Sequence, residues 1–212
     1  AVLRPVKLTL TNYPEGQSET FTVENNPNRP EDSSREVSFS RTLYVEAEDF
    51  LETPVPKYKR LYPDGPECRL KGAYVIQCTG CVKDADGNVV EILATYDPDS
   101  RGGDPADGRK VKGATIHWVD AATAVDAEVR LYDNLFTDPD PDGGDRSFLD
   151  CLNPNSLEVL LHAKVEAGLA GAQAPASFQF LRQGYFCVDN RDSSPEHLVF
   201  NRSVSLKDSF KF

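Results

Sequence analysis

The chain has 212 residues, a formal charge of −11, 39% apolar and 27% charged residues, enough to bury a core without staples and too balanced for a disordered or fibrous protein. The net charge repels nucleic acid and anionic membranes on average. No apolar run reaches the roughly 18 residues of a membrane span, and the opening AVLRPVKLTL places a proline and charges where an export signal needs apolar residues.

In chain order, Val6, Leu8 and Leu10 alternate with polar residues, as do Phe21 and Val23, and both stretches read as strands with one buried face. Tyr74, Ile76 and Cys78 alternate up to Val82, KDADGN follows, and Val90, Ile92, Ala94 and Tyr96 alternate again. Asp86-Gly87 marks the hairpin between them. Further strands are expected at 114–119, 128–133, 157–165, 178–188 and 199–206, with a helical turn or two at 46–51, 120–125 and 147–152. Fifteen prolines and fourteen glycines gather in turn-rich segments such as NNPNRPEDSS and DPDSRGGDPADG. Many short strands so punctuated predict an all-β protein, and closed barrels are favoured because closure removes exposed edges.

Five cysteines cannot all pair within one chain, and their scatter predicts reduced thiols. Cys78-Thr79-Gly80-Cys81 has zinc-knuckle spacing but lies inside an alternating strand, and the three histidines are scattered singly, so no metal site is expected. Asp138-Pro139-Asp140-Pro141-Asp142-Gly143 imitates the start of a calcium loop, yet its twelfth position is Leu149 rather than a bidentate glutamate. No phosphate-binding, dinucleotide or nucleophile-elbow motif occurs, and no catalytic residue is assigned. Charge is unevenly spread. Over 57–71, five cations against Asp64 and Glu67 leave +3; over 101–112, Arg101, Arg109, Lys110 and Lys112 against Asp104 and Asp107 leave +2; nine acids against two arginines over 120–150 leave −7. Basic residues interleaved with Tyr58 and Tyr62 suit single-stranded RNA, cations meeting phosphates and rings meeting unstacked bases.

Ten ordered stretches carry a resemblance: VKLTLTNYPEG, NNPNRPEDSSREVSFSRTLYVEAEDF, YKRLYP, RLKGAYVIQCTG, ATYDPDS, DGRKVKGATIHWV, AEVRLYDNLF, FLDCLNPNSLEV, FQFLRQGYFCVD and VFNRSVSLKDSF. In these the chain resembles, over essentially its full length, the C-terminal anticodon-binding half of the glutaminyl-tRNA synthetases, a class I aminoacyl-tRNA synthetase family. The resemblance implies two tandem antiparallel β-barrels related to a ribosomal-protein barrel. The chain ends would share a proximal barrel (1–45 and 160–212), with a distal barrel over 46–159. The HIGH-like and KMSKS-like ATP signatures of the family are missing from the sequence. ATP with magnesium would therefore belong to a catalytic domain outside this chain, which alone would hold no cofactor and be inactive.

The same resemblance implies contacts to the pyrimidine-U-G anticodon of the tRNA for glutamine. Asn28 falls in the family's asparagine-proline loop; Lys57, Lys59 and Arg60 fall where side chains line base pockets; Arg69 and Lys71 match an Arg-x-Arg pair at the first anticodon nucleotide; Gln179 and Arg182 match a Gln-x-Glu-Arg motif at the second and third. An amide offers a donor and an acceptor to uracil, and guanidinium bridges guanine acceptors or phosphate. Two departures stand out: Leu181 replaces the acidic member of the last motif, and Ala114 reads as an extra residue forming a bulge. The implied protein is cytoplasmic and monomeric, with no DNA or membrane partner. The corresponding region of a eukaryotic-type glutamyl-tRNA synthetase is the runner-up, although HWV at 117–119 and GYFCVD at 184–189 favour the glutaminyl branch. A non-enzymatic barrel binding ribosomal RNA would explain the strands but not ten ordered matches.

Overall fold

A computed structural model describes residues 1–26, 28–29, 31, 33–143 and 146–206. It is all-β: fourteen strands, short 3-10 turns and, among the described residues, no α-helix, hence no helix able to cross a membrane. The chain divides into two compact units, Ala1–Asp126 with Ala163–Ala170, and Ala127–His162 with Gly171–Phe212.

The first unit holds β1 (Pro5–Leu10), β2 (Ser18–Glu24), β3 (Ser34–Ser40), β4 (Thr42–Glu46), β5 (Cys68–Leu70), β6 (Val75–Lys83), β7 (Val89–Tyr96), β8 (Thr115–Ile116) and β9 (Val119–Asp120). A curled half-barrel sheet runs in the order β8-β5-β6-β7-β1-β4-β9, and β2 pairs with β3 separately. The β6–β7 hairpin turns where expected: Gly87 has φ +87, and the Asp84 carboxylate accepts the Asp86 and Asn88 N–H groups at 3.0 and 2.8 Å. Alternation delivers Phe21 from β2 and Phe39 from β3 to the core, where Trp118 stands edge-on to Phe39 with ring centroids 5.1 Å apart and Tyr74 packs on both phenylalanines. The half-buried Glu19 accepts the Tyr13 and Tyr74 hydroxyls at 2.9 and 2.8 Å, so the polar tips of this aromatic cluster are satisfied.

A second sheet, most of it in the second unit, is formed by β10 (Val125–Tyr132), β11 (Leu157–Val165), β12 (Ser177–Phe180), β13 (Gly184–Val188) and β14 (Leu198–Val204) in the order β11-β10-β14-β13-β12. Phe180 stacks on Phe186 at 4.4 Å, with Phe200 edge-on to Phe180 at 5.3 Å.

β1 pairs in parallel with β7 (Leu8↔Ile92), which binds the N-terminal segment to 75–96, while β14, the last described strand, lies in the other sheet. Several expectations for single elements are corrected. The sheets are mixed rather than purely antiparallel, because β1/β7, β5/β8 and β10/β14 are parallel pairs. The strand expected at 114–119 is two short bridging strands, and 178–188 is a hairpin broken at 181–183. Only three- and four-residue 3-10 turns occupy 47–49 and 148–151, and 120–125 is not helical. On β11, Ala163 and Val165 are buried as alternation requires, but Leu157, Val159 and Leu161 are exposed, as an edge strand permits.

Candidate nucleic-acid interface

The segment between the 47–49 turn and β5 is irregular but firmly anchored. Leu61, 1% exposed, donates its N–H to the Asp49 carbonyl at 2.9 Å, and its carbonyl accepts from Leu51 N–H at 3.0 Å. Upstream, Lys57 takes a left-handed φ of +67, and Tyr58 N–H closes a turn onto the Val55 carbonyl. Lys57 and Lys59 thereby project into solvent, while the Lys59 carbonyl accepts from Ala114 N–H at 2.7 Å. Arg60 is held differently. Its Nη1 lies 3.0 Å from Oδ1 of Asp49, a carboxylate with no exposed surface, and 3.6 Å from Oε1 of Glu48. The Tyr58 hydroxyl donates to the Glu48 carbonyl at 3.2 Å, and burial followed by the Asp49 charge pushes it up to about 12, so it stays a neutral donor.

Arg69 and Lys71 leave the same strand end with unlike freedom. Arg69 Nε donates to the Gly103 carbonyl at 2.8 Å and Nη2 lies 3.3 Å from Oδ1 of Asp104. Lys71 is tied through its backbone, its N–H to Ile116 O and its carbonyl to Trp118 Nε1 at 3.0 Å, while the side chain is exposed. Ala114 is not a bulge within a strand. It precedes β8, and its N–H and carbonyl join Lys59 to Arg69, the latter at 3.1 Å. Gly113 before it is pressed so closely on the Glu67 carbonyl and the Cys68 sulfur that a Cβ would overlap both.

Counting charges along the sequence overstates the arginines. Arg109 donates to both oxygens of Glu67 at 2.9 and 3.0 Å, to both of Asp107 at 3.0 Å and to Asp97 at 2.5 Å; these bonds, Glu67 first, push its pKa still higher. Arg101 pairs with Glu19 at 3.1 Å and lies 4.4 Å over the Phe21 ring. Lys57, Lys59, Lys71, Lys110 and Lys112 are exposed and make no ion pair among the described residues.

Asn28 is exposed in the loop joining β2 to β3, its N–H donating to Asn26 Oδ1 at 3.0 Å; Pro27, Pro30 and Asp32 lie outside the described residues. The loop neck is gripped by Arg35, which reaches Asn25 Oδ1 at 3.1 Å while its fork engages Glu166 at 2.6 and 2.9 Å. In the second unit, Gln179 is exposed on β12 opposite Tyr185. Arg182 has φ +68 in the turn before β13, also exposed, with Leu181 half-buried beside it. That turn closes through Gln183 N–H to the Phe180 carbonyl at 2.9 Å and leads into Gly184, whose φ of +141 and contact with the Val204 carbonyl leave no room for a Cβ. Six of the eight expected site residues thus belong to the first unit, and Gln179 and Arg182 share one hairpin of the second.

Cys78 is buried in β6 and Cys81 partly so, and burial pushes the Cys68 and Cys78 thiols up to about 11. Among the described residues no three His, Cys, Asp or Glu side chains gather as a metal-binding set. The calcium-like loop runs on through Gly144 and Asp145, which lie outside the described residues; Asp138 at its start pairs with Arg146.

Two family models match, both described as the anti-codon binding domain of class I (E and Q) tRNA synthetases, one over residues 1–97 and one over 115–189. Curated relatives include a glutamine--tRNA ligase of Clostridium kluyveri, 51% identical over the whole chain and 38% of its own length. The ligases of Cupriavidus taiwanensis and Aliivibrio fischeri are 55% and 53% identical over 99% of the chain, and 36% and 37% of their own lengths. The chain thus spans well under half of the relatives it matches. The two models cover the core strands of the first unit and much of the second, and with these identities the chain belongs to the anticodon-binding region of the class I tRNA synthetases of the E and Q type.

Proposed function

We propose that this chain is the anticodon-recognition portion of a ligase that joins glutamine to its tRNA using ATP, the chemistry being carried by a part of the parent protein outside this sequence. The observation that carries the reading is identity of 51 to 55% with glutamine--tRNA ligases along practically the whole chain. The relatives' shared name favours glutamine over glutamate as the coupled amino acid, and an amino-acid ligase over a ribosomal-RNA barrel. In this reading Lys57, Lys59, Lys71, Gln179 and Arg182, all exposed, meet the anticodon loop directly. Asn28 serves from the β2–β3 loop. Arg60 and Arg69 approach RNA from anchored positions, their guanidiniums already oriented by Asp49 and by Gly103 and Asp104. The parent acts as a cytoplasmic monomer with magnesium-bound ATP in its catalytic part. The test is binding of RNA stem-loops carrying the pyrimidine-U-G anticodon or single-base changes in it: the matched loop binds tightest. The chain alone catalyses no glutamine-dependent ATP–pyrophosphate exchange; exchange by the purified chain would overturn the division of labour.

A further inference from the structure

The 101–114 segment carries two lysines that the anticodon contacts above do not use. Val111 is buried between Lys110 and Lys112, so this short stretch turns an apolar side chain inward and both ammonium groups outward. The next two residues are sewn to the expected site by three bonds: Gly113 N–H donates to the Glu67 carbonyl at 2.9 Å, Ala114 N–H to the Lys59 carbonyl at 2.7 Å, and Arg69 N–H to the Ala114 carbonyl at 3.1 Å. Lys71 N–H follows onto Ile116. Lys110 and Lys112 therefore continue the backbone that runs beside Lys59 on one side and Arg69–Lys71 on the other.

Four of the nearby acids are already engaged. Glu67, Asp97 and Asp107 are bound by Arg109, and Asp104 by Arg69. In a protein of net charge −11, what this edge leaves uncompensated is ammonium charge. Arginine forks pair with carboxylates, whereas exposed lysines on flexible stems act as point charges suited to phosphate oxygens and indifferent to base identity.

We propose that Lys110 and Lys112 form a phosphate-contact extension of the RNA surface, gripping the single-stranded backbone next to the bases read by the Lys57–Arg60 and Arg69–Lys71 positions. The inference rests on the RNA-binding reading above. It assigns the two lysines to affinity and salt dependence, not to anticodon choice.

The experiment is a fluorescence-anisotropy titration of the chain and its Lys110→Gln/Lys112→Gln variant with matched and base-changed anticodon stem-loops over a range of KCl. Two contacts to a single-stranded loop contribute about 1.4 to the slope of log K against log salt, or about 25-fold in affinity at 0.1 M relative to 1 M. The expected result is a slope shallower by about 1.4, equal fractional loss on matched and changed loops, and an unaltered melting curve, since both side chains are exposed. Lys7→Gln, on a strand beside Glu91, is expected to leave slope and affinity as they are. An unchanged slope in the double variant, or a loss confined to the matched loop, would overturn the extension while leaving anticodon recognition standing. Failure of the unaltered chain to bind any loop would instead remove the RNA-binding reading and this inference with it.

Discussion

Arg60 should carry two separable energies. Its guanidinium lies 3.0 Å from a carboxylate with no solvent exposure, yet is itself 35% exposed. A hydrogen bond to a charged group contributes about 1.5–3 kcal/mol, and solvent screening at the exposed side brings the structural share to about 1–2 kcal/mol. Trp118 is the only tryptophan of the chain and sits in the same unit, so its fluorescence reports unfolding there. At roughly 2–4 °C per kcal/mol for a protein of this size, Arg60→Ala should lower that transition by about 2–8 °C. Arg60→Lys keeps a charge beside Asp49 and should recover at least half of the loss. For RNA the order changes. Lysine cannot reproduce the planar fork, so both variants should lose about 1–3 kcal/mol of preference for the matched anticodon over a base change. A melting curve for Arg60→Ala identical to the parent would refute the ion pair as a stabilising element. Full anticodon preference in Arg60→Lys would show that the guanidinium positions the loop and reads no base.

Three further outcomes follow from the structure. Gly184→Ala should destabilise the second unit by about 2 kcal/mol or more, seen as a lower urea midpoint by circular dichroism, because the position combines φ +141 with the Val204 carbonyl where a Cβ would lie; an unchanged midpoint would contradict that crowding. Asp189, held down to about 2 by bonds from Asn201 and the Asp192 and Arg191 N–H groups, has a folded pKa below its unfolded one near 3.8. Its stabilisation is present above that unfolded value and disappears as pH falls through about 2, so the melting penalty of Asp189→Asn should be full at pH 6 and shrink between pH 4 and 2; a penalty constant with pH would refute the assignment. The purified protein should contain no stoichiometric zinc and melt unchanged in chelator, and Cys78 should react slowly with thiol reagents until the protein is unfolded; one zinc per chain, or rapid native-state labelling of Cys78, would restore a metal or reactive role for that cysteine pair.

Strands with clean alternation, β1, β2, β6 and β7, were legible because one face is buried and the other wet, and the β6–β7 turn because Gly87 supplies its positive φ. β3 was hidden: Val37 and Phe39 alternate properly, but they follow a run of prolines and asparagines that reads as loop. β5, β8 and β9 span only two or three residues, too short for any periodicity, and exist because neighbouring backbone pairs with them. Arg182 gave no local sign of its left-handed turn, which the β12–β13 register and the crowding at Gly184 impose. Charge counting located the basic region but not its usable charges. Which cations stay free depends on partners distant in sequence, Arg69 with Gly103 and Asp104, Arg109 with Glu67 and Asp97, and such pairings arise only once the chain has folded.

The most direct test of the central claim is an equilibrium binding comparison, at one fixed salt concentration, between the unaltered chain and stem-loops that differ by a single anticodon base. Recognition through separate base contacts predicts that the pyrimidine-U-G loop binds tightest and that each change at the second or third position costs about 1–3 kcal/mol, roughly five- to 150-fold in affinity. Equal affinity for all the loops would contradict it, leaving a surface that holds RNA by its phosphates alone.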